Sequence, residues 1–218
     1  MIHLLIGVGL CAYGFKLAAI TLPEREAFYI SLFCAACWLL HPMLVSTVLY
    51  PVQRMAQLSM LWVVYACLSY VYGRLATRLC HKIVWLCFLV PVLGILSVLS
   101  KENGALLPLF LLLIEFILLS RMVGVTRIDS LARMGLILFP MLMGVVLLGL
   151  FWESLIDYSE RSFDLTARLL TQSKVMWFYI EQLFWPQLSK MSLYLDYWPT
   201  ETQLNGGVLF FFFLFLSF

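Results

Sequence analysis

Residues Val98 to Phe116 read VLSKENGALLPLFLLLIEF, and a cation, an anion and an amide (Lys101, Glu102 and Asn103) fill the short gap between two apolar runs. A plain turn would need only Gly and Ser there. Two similar polar clusters border apolar segments upstream, His41-Pro42 and Gln53-Arg54. A fourth lies in ESLIDYSERSFDLTARLLTQSK, residues 153–174, acidic at its start and basic at its end. If its second half is helical, Arg168 and Gln172 stand one turn apart on one face. A guanidinium offers two parallel hydrogen bonds to phosphate, and an ammonium offers a compact charge. A pocket lined by Arg54, Lys101 and Arg168 would suit a phosphate leaving group. A carboxylate beside it could deprotonate or orient an acceptor hydroxyl, or hold a divalent cation. Glu102, Asp157, Glu160 and Asp164 are available for that role, and the sequence does not choose among them.

The elements that must position these residues are apolar. The chain of 218 residues is 63% hydrophobic and 12% charged, with a mean hydropathy of +0.98. That leaves too little polar surface to coat a water-soluble globule, so a bilayer is the expected solvent. A hydrocarbon core of roughly 30 Å takes about 20 residues of helix. Apolar runs at 2–22, 27–40, 56–73, 82–100, 104–120, 133–152, 172–186 and 205–218 predict an all-α, polytopic transmembrane helical bundle. It would have about 7–8 membrane helices in one transmembrane domain, 1–218, with short interfacial helices on the outer face. One such interfacial helix is expected at 43–50, between Pro42 and Pro51, each of which disfavours helix at the residue before it.

Short loops rich in Lys and Arg mark the cytoplasmic side. Arg25, then Arg74, Arg78 and Lys82, then Arg121, Arg127 and Arg133 fall in such loops. The segments 41–55, 101–103, 153–171 and 187–204 then face outward, and with them all four polar clusters. The basic residues are scattered, which argues against nucleic acid as a partner. Cys34 and Cys37 form a CxxC inside an apolar run beside Phe33 and Trp38, where a thiolate is disfavoured, so they read as small apolar filler. No Cys or His pairing predicts a metal site. Met1-Ile2-His3 lacks the basic start of a signal peptide, so the first run reads as a helix that stays.

Plain roles stand beside the chemical ones. Arg54 could be an interfacial anchor, Lys101 and Glu102 could cap two helices, and His41 could be an interfacial structural histidine. Arg168 and Lys174 could pair with loop acids. Glu115 and Glu181, inside apolar runs, read as packing or protonated hydrogen-bonding groups, though an intramembrane carboxylate also motivates a transporter or lipid flippase.

Taken in order, LLHPMLVSTVLYPVQRMAQLSMLW, SKENGALLPLFLLLIEF and RLLTQSKVMWFYIEQLFWPQLSKMSLYLDYW resemble the GT-C-type polytopic membrane glycosyltransferases. These include bacterial proteins that often carry C-terminal TPR repeats, and they are similar to protein O-mannosyltransferases. The resemblance runs over residues 2–200 through His41-Pro42, Gln53-Arg54, Ser100-Lys101-Glu102, Glu115, Arg168 to Gln172, Pro186 and Leu195-Asp196-Tyr197. It implies transfer of a sugar from a polyprenyl-phosphate-linked donor to a protein or lipid acceptor on the non-cytoplasmic side of a bacterial inner membrane. By the same resemblance Arg54, Lys101 and Arg168 contact the donor phosphate and Glu102 is catalytic or positioning, with His41, Gln53, Asn103 and Gln172 in support. The family carries its main acidic motif in a first outer loop after its first helix, and Met1 here already aligns with a later helix. The last run, GGVLFFFFLFLSF, stops without a basic anchor. The expectation is therefore a form truncated at both ends, or a non-catalytic membrane subunit that works with a partner.

Overall fold

A computed structural model of the chain describes residues 1–138, 149 and 165–187. The chain divides into two compact units, Met1–Val145 and Val146–Phe218. Every described element is helical.

In the first unit, α1 (Ile2–Ala18) and α2 (Glu24–Leu39) form an antiparallel pair. Pro23 opens α2, and Glu24 and Glu26 in its first turn suit the positive end of the helix dipole. The ring of His3 bonds the Leu39 carbonyl at 3.1 Å and stacks on Trp38, closing the far end of that pair. A short helix, α3 (Leu44–Leu49), lies between Pro42 and Pro51, close to the 43–50 expected. After a 3-10 turn at Pro51–Gln53 comes α4 (Arg54–Leu75), the central helix, which packs on α1 and on α5.

Helix α5 (Leu79–Ser100) carries a π-helical stretch at Ile83–Leu89. Pro91 lies two residues beyond that stretch; its ring conflicts with the carbonyl four residues back, at Cys87, and the wider turn accommodates the conflict. Helix α6 (Glu102–Leu119) starts as a 3-10 turn at Glu102–Leu106 and ends as a second π-helical stretch at Glu115–Leu119. Residues 127–138 form α7. The core joins α4, α5 and α6 through Tyr70, Val71, Leu86, Val90, Leu107, Leu111 and Leu119. Helices α4 and α5 approach closely at Gly73, where a Cβ would fall within 2.6 Å of the Leu86 side chain.

Three stretches are long and apolar enough to cross a membrane: Pro51–Leu75, Leu79–Ser100 and Glu102–Leu119. They coincide with the expected runs at 56–73, 82–100 and 104–120. Helix α1 is apolar but has 17 residues. Of the run expected at 133–152, residues 133–138 and 149 are helical, and the rest, like the run at 205–218, lies outside the described residues.

In the second unit, α8 (Leu165–Phe184) begins before the apolar run at 172–186. Its polar residues include Arg168, Gln172, Lys174, Glu181 and Gln182, so it is amphipathic rather than uniformly apolar. Pro186 disfavours helix at Trp185 and ends it.

Candidate functional site

The direction of α4 sets two ends in the first unit. At its start, Ser59 Oγ meets Ser97 Oγ of α5 at 3.0 Å, and Ser97 Oγ donates to the Ser59 carbonyl at 3.2 Å. At Gly104 a Cβ would fall 2.7 Å from the Ser97 carbonyl oxygen, so glycine alone lets the start of α6 lie on α5. The buried amide of Gln57 donates to the Thr47 carbonyl at 2.9 Å and ties α3 to α4. These contacts hold His41, Gln53, Arg54, Lys101, Glu102 and Asn103 at one end of the unit.

Arg54, Glu102 and Asn103 are exposed there, and Lys101 and Gln53 are half-buried. Lys101 has extended backbone between α5 and α6, and its carbonyl accepts the Gly104 amide at 2.9 Å. Neither a hydrogen bond nor an ion pair to another described residue engages the side chains of Arg54, Lys101, Glu102 or Asn103. His41 Nδ1 accepts the Met43 amide at 3.3 Å, which fixes the turn into α3. Glu102 is the one carboxylate at this end among the described residues. With Asn103 it supplies fewer oxygens than a divalent cation takes from a dedicated protein site. Among the described residues no group of three His, Cys, Asp or Glu is gathered to hold a metal.

Arg168 and Gln172 lie in α8 of the second unit, Gln172 exposed. The Arg168 side chain, with Asp157, Glu160, Asp164 and Asp196, lies outside what the structure describes. Glu181 is exposed in α8 and accepts a long contact from Gln187 at 3.5 Å.

The other end of the first unit is built differently. Arg74, in the last turn of α4, donates from Nε to Glu115 Oε2 at 2.7 Å and from Nη2 to Oε1 at 2.9 Å. The Tyr70 hydroxyl donates to the same Oε2 at 2.9 Å, and Arg133 Nη2 lies 2.6 Å from Oε1. Four donor atoms therefore meet the two oxygens of Glu115, a residue that reads from sequence as a packing or protonated hydrogen-bonding group. Arg74 Nη1 also reaches Asp129 Oδ2 at 3.0 Å, and Lys82 Nζ bonds both Asp129 oxygens at 2.9 and 2.7 Å. The side chains of Arg74, Glu115 and Asp129 have no exposed surface. Asp129 also closes a capping box: its Oδ2 accepts the Thr126 amide at 2.7 Å, and its own amide donates to Thr126 Oγ1 at 3.4 Å. Burial pushes the Asp129 carboxyl up, but hydrogen bonds from Lys82 and Thr126 and the charge of Arg74 outweigh it and hold the group below the usual carboxylate range.

Sequence reasoning treated Arg74, Lys82 and Arg133 as loop charges and passed over Asp129. One signal was available, the Thr126-x-x-Asp129 pattern of a helix start. No family model, curated protein or solved structure matches this chain.

Proposed function

We propose that the chain is a multi-pass membrane glycosyltransferase. Its Arg54–Lys101 end would hold the phosphate of a polyprenyl-linked sugar and pass the sugar to a protein or lipid acceptor on the non-cytoplasmic side. A bilayer is favoured by the distribution of side chains. Val84, Phe88, Ile95 and Leu99 of α5 and Leu109, Phe116 and Ile117 of α6 face outward, while Arg74, Lys82, Glu115 and Asp129 are buried. Water would favour the reverse arrangement.

The observation that carries the reading is that Arg54 and Lys101 share one end of the bundle with no acidic partner among the described residues. Cations left unpaired at a lipid–water boundary suit an anionic headgroup, and the donor lipid offers one at that depth. In the reaction, the acceptor oxygen attacks the anomeric carbon and gives its proton to Glu102. The bond from that carbon to the phosphate oxygen breaks, and polyprenyl phosphate leaves as an anion held by Arg54 and Lys101. His41, Gln53 and Asn103, at the same end, would contact the sugar or acceptor.

The test is sugar transfer by the chain reconstituted in vesicles with a polyprenyl-phosphate sugar. Arg54→Ala and Lys101→Ala should each lower the rate at least tenfold, the loss of one charge-assisted hydrogen bond of ~1.5–3 kcal/mol. Wild-type rates in both variants would end the phosphate-pocket argument. Donor binding without transfer would favour a non-catalytic subunit. A flippase reading gains nothing from Glu115, whose oxygens are engaged by Arg74, Tyr70 and Arg133.

A further inference from the structure

A small cavity of about 250 Å³ opens at the Arg74 end, lined by Thr77, Leu79, Lys82, Thr126, Arg127 and Ile128. Its polar lining consists of two cations and two hydroxyl groups, with no acid among the lining residues. Lys82 belongs to both the cavity and the buried ion cluster. That cluster joins three cations, Arg74, Lys82 and Arg133, to two carboxylates, Glu115 and Asp129, and so carries one positive charge in excess. The excess shows in the hydrogen bonding: Arg133 Nε and Nη2 are buried without an acceptor in line, although Nη2 sits close to Glu115. At the cavity itself, Thr77 and Arg127 are exposed and form no side-chain hydrogen bond or ion pair with another described residue. Arg127 also opens α7, where the Thr126–Asp129 capping box takes the Asp129 amide and leaves those of Arg127 and Ile128 without a helical partner.

We infer that this cavity binds a phosphate group, as the phosphodiester headgroup of an anionic lipid in the leaflet at the Arg74 end. Arg127 and the free proton of the Lys82 ammonium contact the phosphate, Thr77 donates its hydroxyl, and Leu79 and Ile128 meet the lipid's glycerol end. The volume lies below the roughly 300 Å³ where pockets for larger ligands begin, which favours a small headgroup over a nucleotide. The site lies at the opposite end of α4 from Arg54 and does not rest on the sugar-transfer reading.

The experiment uses the full chain in nanodiscs that mix phosphatidylglycerol with phosphatidylcholine, and counts lipids retained after detergent extraction by native mass spectrometry. Wild-type protein should retain phosphatidylglycerol preferentially. Arg127→Gln and Thr77→Val, both at exposed positions outside the buried ion cluster, should fold normally. Arg127→Gln should lower that retention about fivefold, and Thr77→Val by a smaller factor. Arg121→Gln, which removes an exposed charge away from the cavity lining, should leave retention within twofold. In a second arm, inorganic phosphate is added to the detergent-solubilised protein and thermal unfolding is followed. Protection by phosphate that Arg127→Gln removes, without lipid preference, would keep the phosphate site and assign it a soluble ligand. Equal losses in Arg127→Gln and Arg121→Gln would overturn the inference in favour of unspecific charge. The absence of both lipid preference and phosphate protection would overturn it outright.

Discussion

The two ends of α4 use the same residue types for opposite purposes. At one end Arg74 lies buried between Glu115 and Asp129, with Lys82 and Arg133 completing the cluster. At the other, Arg54 is exposed and engages no acid, and Lys101 is half-buried with its ammonium unpaired among the described residues. An arginine bonded on three sides has spent its donors on the fold and has little left for a ligand. An arginine without partners contributes little to stability and keeps its donors available. The contrast separates charge committed to the fold from charge left available to a ligand.

The largest effect that could break this contrast is expected from Glu115→Ala. It leaves the buried Arg74 and the half-buried Arg133 with a lost counter-charge, and removing one partner of a buried pair costs about 3–5 kcal/mol. Thermal unfolding in detergent should show a correspondingly large drop in Tm or a failure to accumulate folded protein. Arg74→Met combined with Glu115→Gln should cost less than the sum of the two single changes, with a coupling of about 0.5–3 kcal/mol. Additive losses would mean that the two side chains act independently and that the pairing is incidental.

Much of this architecture was legible in the sequence because it follows from apolar run length. The stretches at Pro51–Leu75, Leu79–Ser100 and Glu102–Leu119 are bounded by Arg54, Arg74, Lys82 and Lys101, and polar boundaries around long apolar runs survive any packing. The pairings were not legible. Lys82 and Asp129 are 47 residues apart and Ser59 and Ser97 are 38 apart, and nothing local joins them. A lone Asp in a polar loop looks the same whether solvated or buried, and only the approach of α4, α5 and α7 decides which. The candidate site was legible as residue types, while the shared end of Arg54 and Lys101 depends on the Ser59–Ser97 contact and on Gly104.

Asp129 sharpens the comparison through pH. Its carboxyl is held below the range of an unfolded Asp, about 3.9. A lowered folded value means that its contribution is fully present above about pH 4 and is lost as pH falls through the folded value. Stability of the wild type should therefore fall more steeply below pH 4 than that of Asp129→Asn. At neutral pH that variant should already be weaker by about 1.5–3 kcal/mol, the loss of a charge-assisted hydrogen bond to Lys82. Parallel pH profiles for the two proteins would show that Asp129 is not held as the structure has it.

Gly104→Ala tests the packing beneath the exposed residues. The added methyl meets Ser97 backbone atoms, which cannot rotate away, so overpacking should cost about 1–3 kcal/mol. The change should also displace Lys101 and Glu102 relative to α4 and reduce the proposed sugar transfer, while Ser100→Ala, whose hydroxyl bonds the Leu96 carbonyl at 2.7 Å, should leave both readouts nearly unchanged.

The smallest stability effect is expected where the functional effect is greatest. Arg54→Ala and Lys101→Ala remove side chains with no partner among the described residues, so each should shift stability by no more than about 0.5 kcal/mol. Arg54 does not fill the core, and Lys101 sits where the chain is already extended between two helices. If both variants unfold like the wild type yet lose retention of a polyprenyl phosphate, the unpaired cations serve a ligand. If Arg54→Ala instead unfolds as readily as Glu115→Ala, then Arg54 anchors the bundle to the bilayer edge, and the division of labour between the two ends of α4 fails at the residue that defines it.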